Sequence, residues 1–453
     1  MLCYIFTREG SLHFVAFSSI INVHFDTKAS MSSSQPVKNN EQILASQYST
    51  IRNFSESLCK PLEIEDFCLQ SMPDASPVKW HLAHTSWFFE TFLLEPFVKG
   101  YKPFNKNFNY LFNSYYNAVG KQYPRPQRGL QSRPTVAEVF QYRKYVDEQI
   151  VELISNHHPQ KSVIEYRLEL GLNHEQQHQE LMLTDLKHAW SYNPMTPAYQ
   201  PKSNPSVSSV NGTLALNWSE YKSGLYPMGS TDNQFCFDNE LPKHDVHLVD
   251  FQIAKRLVSN GEYLEFVESA GYQDAMQWLS EGWGIIQQQQ WKHPIYWHQI
   301  DGKWFEYTLQ GLLPLDLSLP ACHLSYFEAD AYARWCGARL ATEFEWELAA
   351  KEQILSGNFV ESKEFHPTAA TASNQQFFGD CWEWTSSSYS AYPGFSTAAG
   401  AIGEYNGKFM CNQMVLRGGS CVTSSSHIRP TYRNFFYTDA RWQFSGIRLA
   451  KDL

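Results

Sequence analysis

The chain has no run of apolar residues long enough to cross a bilayer as a helix. The nearest approach, "LHFVAFSSIINVHF" near the N-terminus, is interrupted by His13 and His24, and no clear small-residue cleavage site follows it. A basic excess is missing too. With 36 Lys and Arg against 46 Asp and Glu, the formal charge of -10 argues against a broad nucleic-acid footprint and against a polybasic membrane surface. Paired cysteines are also lacking: the nine are odd in number, widely scattered, and include no C-x-x-C pair of the kind that marks zinc or redox sites. That usage fits reduced, structural thiols in a cytoplasmic protein. What remains is a composition suited to small-molecule partners, with no nucleic acid, no membrane and no obligatory protein partner indicated. Aromatic residues are abundant at 15%, which suits buried pockets with flat, amphipathic walls.

At 453 residues the chain is longer than a single core usually grows, so two domains are expected. Residues 1–40 read as disordered or as an extension upstream of Met31, which opens a polar stretch. Residues 41–192 read as helices. "NNEQILASQYSTIRNFSESL" is the first. "SPVKWHLAHTSWFFETFLL" is the second, with Ser76 as N-cap and Pro77 at the first helical position. The third and fourth begin with capping boxes, Thr135 with Glu138 and Ser162 with Glu165. Four long amphipathic helices imply a four-helix bundle, with a long functional loop at about 97–133. Residues 193–215 are rich in Pro, Ser and Asn, which is linker composition. Residues 216–453 then read as an α+β domain dominated by irregular structure.

The fourth helix carries His174-Glu175-x-x-His178, the spacing of a zinc-protease helix. Residues four apart stack on one helical face, so both imidazoles can reach one ion. A protease would use Glu175 as general base and would need a third ligand downstream. Thr184 stands where a third His would be, no glycine stands at 181, and the next Glu after Glu180 is Glu220, beyond the linker; only an Asp variant using Asp185 stays open. A better third ligand is His84, which shares the inward stripe of the second helix with Trp80, Trp87, Phe88 and Thr91. An inward His facing two inward His on another helix is how bundles build metal sites. His81 falls off that stripe and reads as structural. Three neutral imidazoles suit zinc, iron or copper. Glu175, Glu180 and Asp185 are candidates to orient a ring N–H.

Taken in order, "SPVKWHLAHTSWFFE", "NHEQQHQELMLTD", "YPMGS", "RLATEFEWELAA", "GDCWEWTSSSYSAYPGF" and "VLRGGSCVT" with the segments that follow it resemble the sulfoxide synthases of ergothioneine biosynthesis. The resemblance implies a multidomain α and α+β protein, a DinB-like four-helix bundle followed by a formylglycine-generating-enzyme-like, C-type-lectin-related domain. It implies an Fe(II) cofactor held by His84, His174 and His178, and oxidative joining of hercynine to a thiol by O₂. The γ-glutamylcysteine-using branch carries an acidic residue and an arginine where this chain has Phe436 and Ala440. The chain is similar instead to the cysteine-using branch, whose active-site tyrosines correspond to Tyr115 and Tyr116.

On that reading Tyr115 or Tyr116 is the catalytic proton donor, and Gln177 contacts hercynine. Arg125, Arg128 and Arg133 are candidates for the substrate carboxylates, with Arg125 and Arg128 preferred. Phe435 and Phe436, and less strongly Trp382, are candidate walls for the trimethylammonium group. The competing readings are γ-glutamylcysteine as donor, a selenium- or ovothiol-type synthase, oxidation of a protein cysteine, and a non-catalytic ligand-binding module.

Overall fold

In the computed structural model the described residues are 40–201, 214–231, 233–371 and 375–453. The expectation for residues 1–40 therefore lies, up to residue 39, outside the described residues, as does the middle of the linker. Four long helices, Asn40–Leu58, Val78–Phe89, Val136–Ser155 and Lys161–Ser191, form the bundle. Thr135 and Glu138 make the expected reciprocal capping box on the third helix. The other two expected starts differ. Pro77, not Ser76, sits at the N-cap of the second helix, because the Ser76 N–H is drawn to the Asp185 carboxylate at 2.8 Å. The fourth helix begins at Lys161 after Gln160 with no side-chain cap, so Ser162 and Glu165 form no box.

All twelve residues of the second helix are buried. One stripe faces the bundle, and the rest is covered by the loop that precedes the third helix, as when the Trp80 indole donates to the Leu111 carbonyl at 3.1 Å. That loop carries a short helix, Phe108–Phe112, and a 3₁₀ turn, Arg125–Leu130. Its chain returns to the bundle through a cis Arg133–Pro134 bond.

The remainder of the chain combines short sheets with capped helices. One sheet orders the strands 218–221, 251–254, 449–452 and 339–340; another orders 434–437, 413–417, 382–388 and 445–446. A hairpin, 224–228 with 244–248, and a meander, 297–314, complete the strands. Helices Asn260–Glu268, Tyr326–Trp335 and Glu343–Lys351 each start with a Ser or Thr capping box, worth about 1 kcal/mol apiece.

The fourth bundle helix is the seam. Its Glu180 carboxylate accepts from the Trp382 indole at 2.7 Å and from the Ser420 and Thr423 hydroxyls at 2.8 and 2.6 Å. The Gln176 amide donates to Ser424 and Ser426. One buried apolar core runs through both layers, so the composition break near 193–215 does not mark a gap in packing.

Candidate metal centre

His84, His174 and His178 converge. The Nε2 of His174 lies 3.2 Å from Nε2 of His84 and 3.0 Å from Nε2 of His178. The second helix supplies His84 between two indoles at helical spacing: Trp80 stacks on it at 4.6 Å and Trp87 at 5.4 Å. Phe88 covers His174 at 4.6 Å. Burial first, then the neighbouring imidazoles, push His84 and His178 well below the usual histidine pKa; burial brings His174 down to about 3. All three rings are therefore neutral at physiological pH, the form that binds metal.

Their tautomers follow from their outer partners. The Phe112 carbonyl can only accept, so His84 donates its Nδ1–H to it at 2.6 Å. Asp185 accepts from His81 Nε2 at 3.2 Å, which leaves His81 Nδ1 to accept from His178 Nδ1 at 2.8 Å. His84 and His178 must then both present Nε2 lone pairs to the same point. The His174 Nε2 lies within hydrogen-bond distance of both while its Nδ1 has no partner among the described residues, so three neutral imidazoles converge as a donor set that fits a divalent transition-metal ion. Among the described residues, no other group of three His, Cys, Asp or Glu brings its ligand atoms as close.

The residues expected to orient ring N–H groups divide. Asp185 serves, through His81, which is thereby a partner of the centre rather than a remote structural residue. Glu175 faces elsewhere, clamped by Arg52 at 2.7 Å, Arg143 at 2.9 Å and the Ser55 hydroxyl at 2.6 Å. Glu180 is spent on the seam.

A cavity of about 420 Å³ opens beside the triad, and Tyr115, Gln177, Arg125, Arg128, Phe435 and Phe436 all line it. Tyr116 does not line it: fully buried, it stacks on Tyr115 at 4.6 Å and packs on Trp87 and Phe92. Arg133 is on the surface, bound to the Ser132 carbonyl. Arg125 stands at the mouth, with its side chain 53% exposed beside Asp74. Arg128 is buried, lies 3.4 Å over the Trp80 ring and donates to the Ser76 hydroxyl at 2.9 Å. Among the described residues no carboxylate forms an ion pair with it and its Nε has no partner, and burial lowers its pKa. Such a guanidinium keeps N–H capacity for an anion.

Gln177 is not solvent-facing polarity. Its amide donates to the Tyr432 hydroxyl at 2.7 Å and its carbonyl accepts from the Tyr405 hydroxyl. Tyr405 also sets its ring edge-on to His174 at 5.6 Å. Trp382 belongs to both the core and the cavity wall. Sequence reasoning missed Tyr405, Tyr432 and Gln443, which also line the cavity. They sit in irregular segments without periodicity, so nothing short of the fold could assign them.

Residues 219–376 and 375–453 match the family described as Sulfatase-modifying factor enzyme 1-like domain. The chain is 32% identical over 319 residues to a hercynine oxygenase of Mycolicibacterium smegmatis, covering 64% of this chain and 72% of that one. It is 31% identical to a hercynine oxygenase of Mycolicibacterium thermoresistibile, covering 62% and 68%, and 30% identical to the ergothioneine biosynthesis protein 1 of Schizosaccharomyces pombe, covering 49% and 29%. A helical bundle with a buried three-histidine centre, completed by a sulfatase-modifying-factor-like domain, defines the class. Within that class the chain belongs to the hercynine oxygenase family, and it is an oxygenase.

Proposed function

We propose that the protein is an Fe(II)-dependent sulfoxide synthase of ergothioneine biosynthesis that joins the imidazole C2 of hercynine to the thiol of cysteine. The observation that carries this reading is that His174 and His178 of the neutral triad line one cavity of about 420 Å³ together with the buried Arg128, whose Nε has no partner among the described residues. The overall change balances: a C–H and an S–H bond break, a C–S and an S=O bond form, and O₂ provides the sulfoxide oxygen and one water. When bound, iron supplies the site at which O₂ is reduced. His84, His174 and His178 would hold it, each through Nε2.

The protein's own part is placement. Arg128 receives a substrate carboxylate in a water-poor wall, where a charge-assisted hydrogen bond is strong. Phe435 and Phe436 offer faces for the trimethylammonium group. Gln177, held at both ends by Tyr405 and Tyr432, has its amide oriented before substrate arrives. The Tyr115 hydroxyl, in the wall beside the triad, holds a proton that burial keeps firmly bound, and it is the group from which a proton can pass to reduced oxygen. Tyr116 backs Tyr115. Phe436, where the γ-glutamylcysteine branch carries an acidic group, favours the smaller thiol.

The test is turnover. Protein purified anaerobically, loaded with Fe(II) and given hercynine, cysteine and O₂ should yield hercynylcysteine sulfoxide by mass spectrometry. Product with γ-glutamylcysteine alone would overturn the donor; no product from either thiol at full iron content would overturn the reaction.

A further inference from the structure

The tyrosine loop is held in two ways. Within the loop itself, Asn113 accepts from the Tyr116 N–H at 3.1 Å and donates to the carbonyls of Tyr116 and Gly120 at 3.0 and 3.2 Å. From the other domain comes one short segment built of two 3₁₀ turns, Ala401–Glu404 and Gly407–Phe409. The Glu404 carboxylate accepts from the Asn117 N–H at 3.0 Å and the Ala118 N–H at 2.8 Å. Lys408 donates to Glu404 at 2.8 Å and to the Tyr115 carbonyl, and its ammonium lies 5.0 Å from the centre of the Tyr115 ring. Phe409 closes edge-on against that ring at 5.0 Å, opposite Tyr116.

Three loop residues, Tyr115, Asn117 and Ala118, are thus tied to one ion pair from the second domain. The same segment contains Tyr405, which reaches Gln177 and His174. A single piece of chain therefore sets where Tyr115 stands relative to the cavity wall.

We propose that Glu404 and Lys408 are positioning residues that hold Tyr115 in register with the metal centre, so that the second domain governs whether oxygen ends in the sulfoxide or is lost to the thiol alone. This rests on the proposed function. The competing outcome is also balanced: cysteine and O₂ give cysteine sulfinate, with both oxygen atoms on sulfur and hercynine unchanged.

The experiment compares Glu404→Gln, Lys408→Met, Lys408→Arg, Tyr115→Phe and the double variant Glu404→Gln/Tyr115→Phe in the full chain. Two readouts are taken: the ratio of sulfoxide to sulfinate with iron-loaded protein, and the rate of trypsin cleavage after the exposed Lys121 in metal-free protein. Losing one charge-assisted bond is expected to lower the ratio and raise cleavage by about tenfold in Glu404→Gln and Lys408→Met. Lys408→Arg should keep the ratio near that of the unaltered chain, and Glu404→Gln should change nothing further once Tyr115 is Phe. An unchanged ratio in both single variants, or a double variant below Tyr115→Phe, overturns the proposal. So does unchanged cleavage, whatever the products. Failure of the underlying function shows separately, as no sulfoxide from the unaltered chain.

Discussion

Two buried polar clusters meet on the fourth helix one residue apart, and they resolve burial in opposite ways. At His174 and His178 the imidazoles are neutral, their pKa values lie below the usual range, and their Nε2 atoms meet at 3.0 Å with no charged partner. At Glu175 a carboxylate sits between two guanidinium groups. There burial pushes the carboxyl up, but Arg52 and Arg143 outweigh it and hold the value at about 2. A charge survives inside a protein where its partners are built in and is given up where they are not. The first cluster has the donor set for a metal ion; the second is complete already and fastens three helices together. Arg128 makes the same point among cations, being as buried as Arg52 yet lacking the carboxylate that Arg52 has.

The sharpest way to break this contrast is to exchange the consequences. His178→Ala should abolish iron loading, from about one ion per chain to none by metal analysis, while the metal-free melting temperature stays within about 5 °C. Stoichiometric iron in that variant would mean the ligands are elsewhere. Glu175→Ala strands two buried guanidinia and should cost about 3–5 kcal/mol in denaturant unfolding. A loss under 1 kcal/mol would show that the clamp is ornamental. Arg128→Met removes the unpaired guanidinium, so the KM of a carboxylate-bearing substrate should rise about 10- to 100-fold with no loss of stability. A destabilised Arg128→Met with normal KM would place Arg128 with Arg52 instead.

The most gradual effect is in pH. Because the folded pKa of Glu175 lies below its ordinary 4.5, its contribution is fully present above 4.5 and is lost as pH falls through about 2. Stability should decline in that window by about 1.4 kcal/mol per pH unit from this group, and Glu175→Gln should flatten the decline.

Much of the metal centre was legible in the sequence, since helical spacing alone aligns His174 with His178 and lines His84 up with Trp80 and Trp87. The misassignments have a common cause. Glu175 and His81 lie beside ligands in sequence, but a step of one along a helix turns a side chain by about 100°, and only the packing says what waits there. Glu175 met two arginines from other helices, and His81 met His178 and Asp185. Tyr115 and Tyr116, adjacent in an irregular loop, could not be separated by spacing; the fold puts one in the cavity wall and the other in the core. Ser76 makes a good N-cap in isolation, yet the pull of Asp185 on its N–H moved the helix start.

By itself the sequence determined the bundle, its inward histidines and the family to which the chain belongs, because these depend on local periodicity and on motifs that survive in order. Only the tertiary structure decided which buried groups are paired and which wait for a partner. Pairing is a property of segments far apart in the chain, Arg52 with Glu175 or Glu404 with Asn117, and burial makes each such choice worth kilocalories.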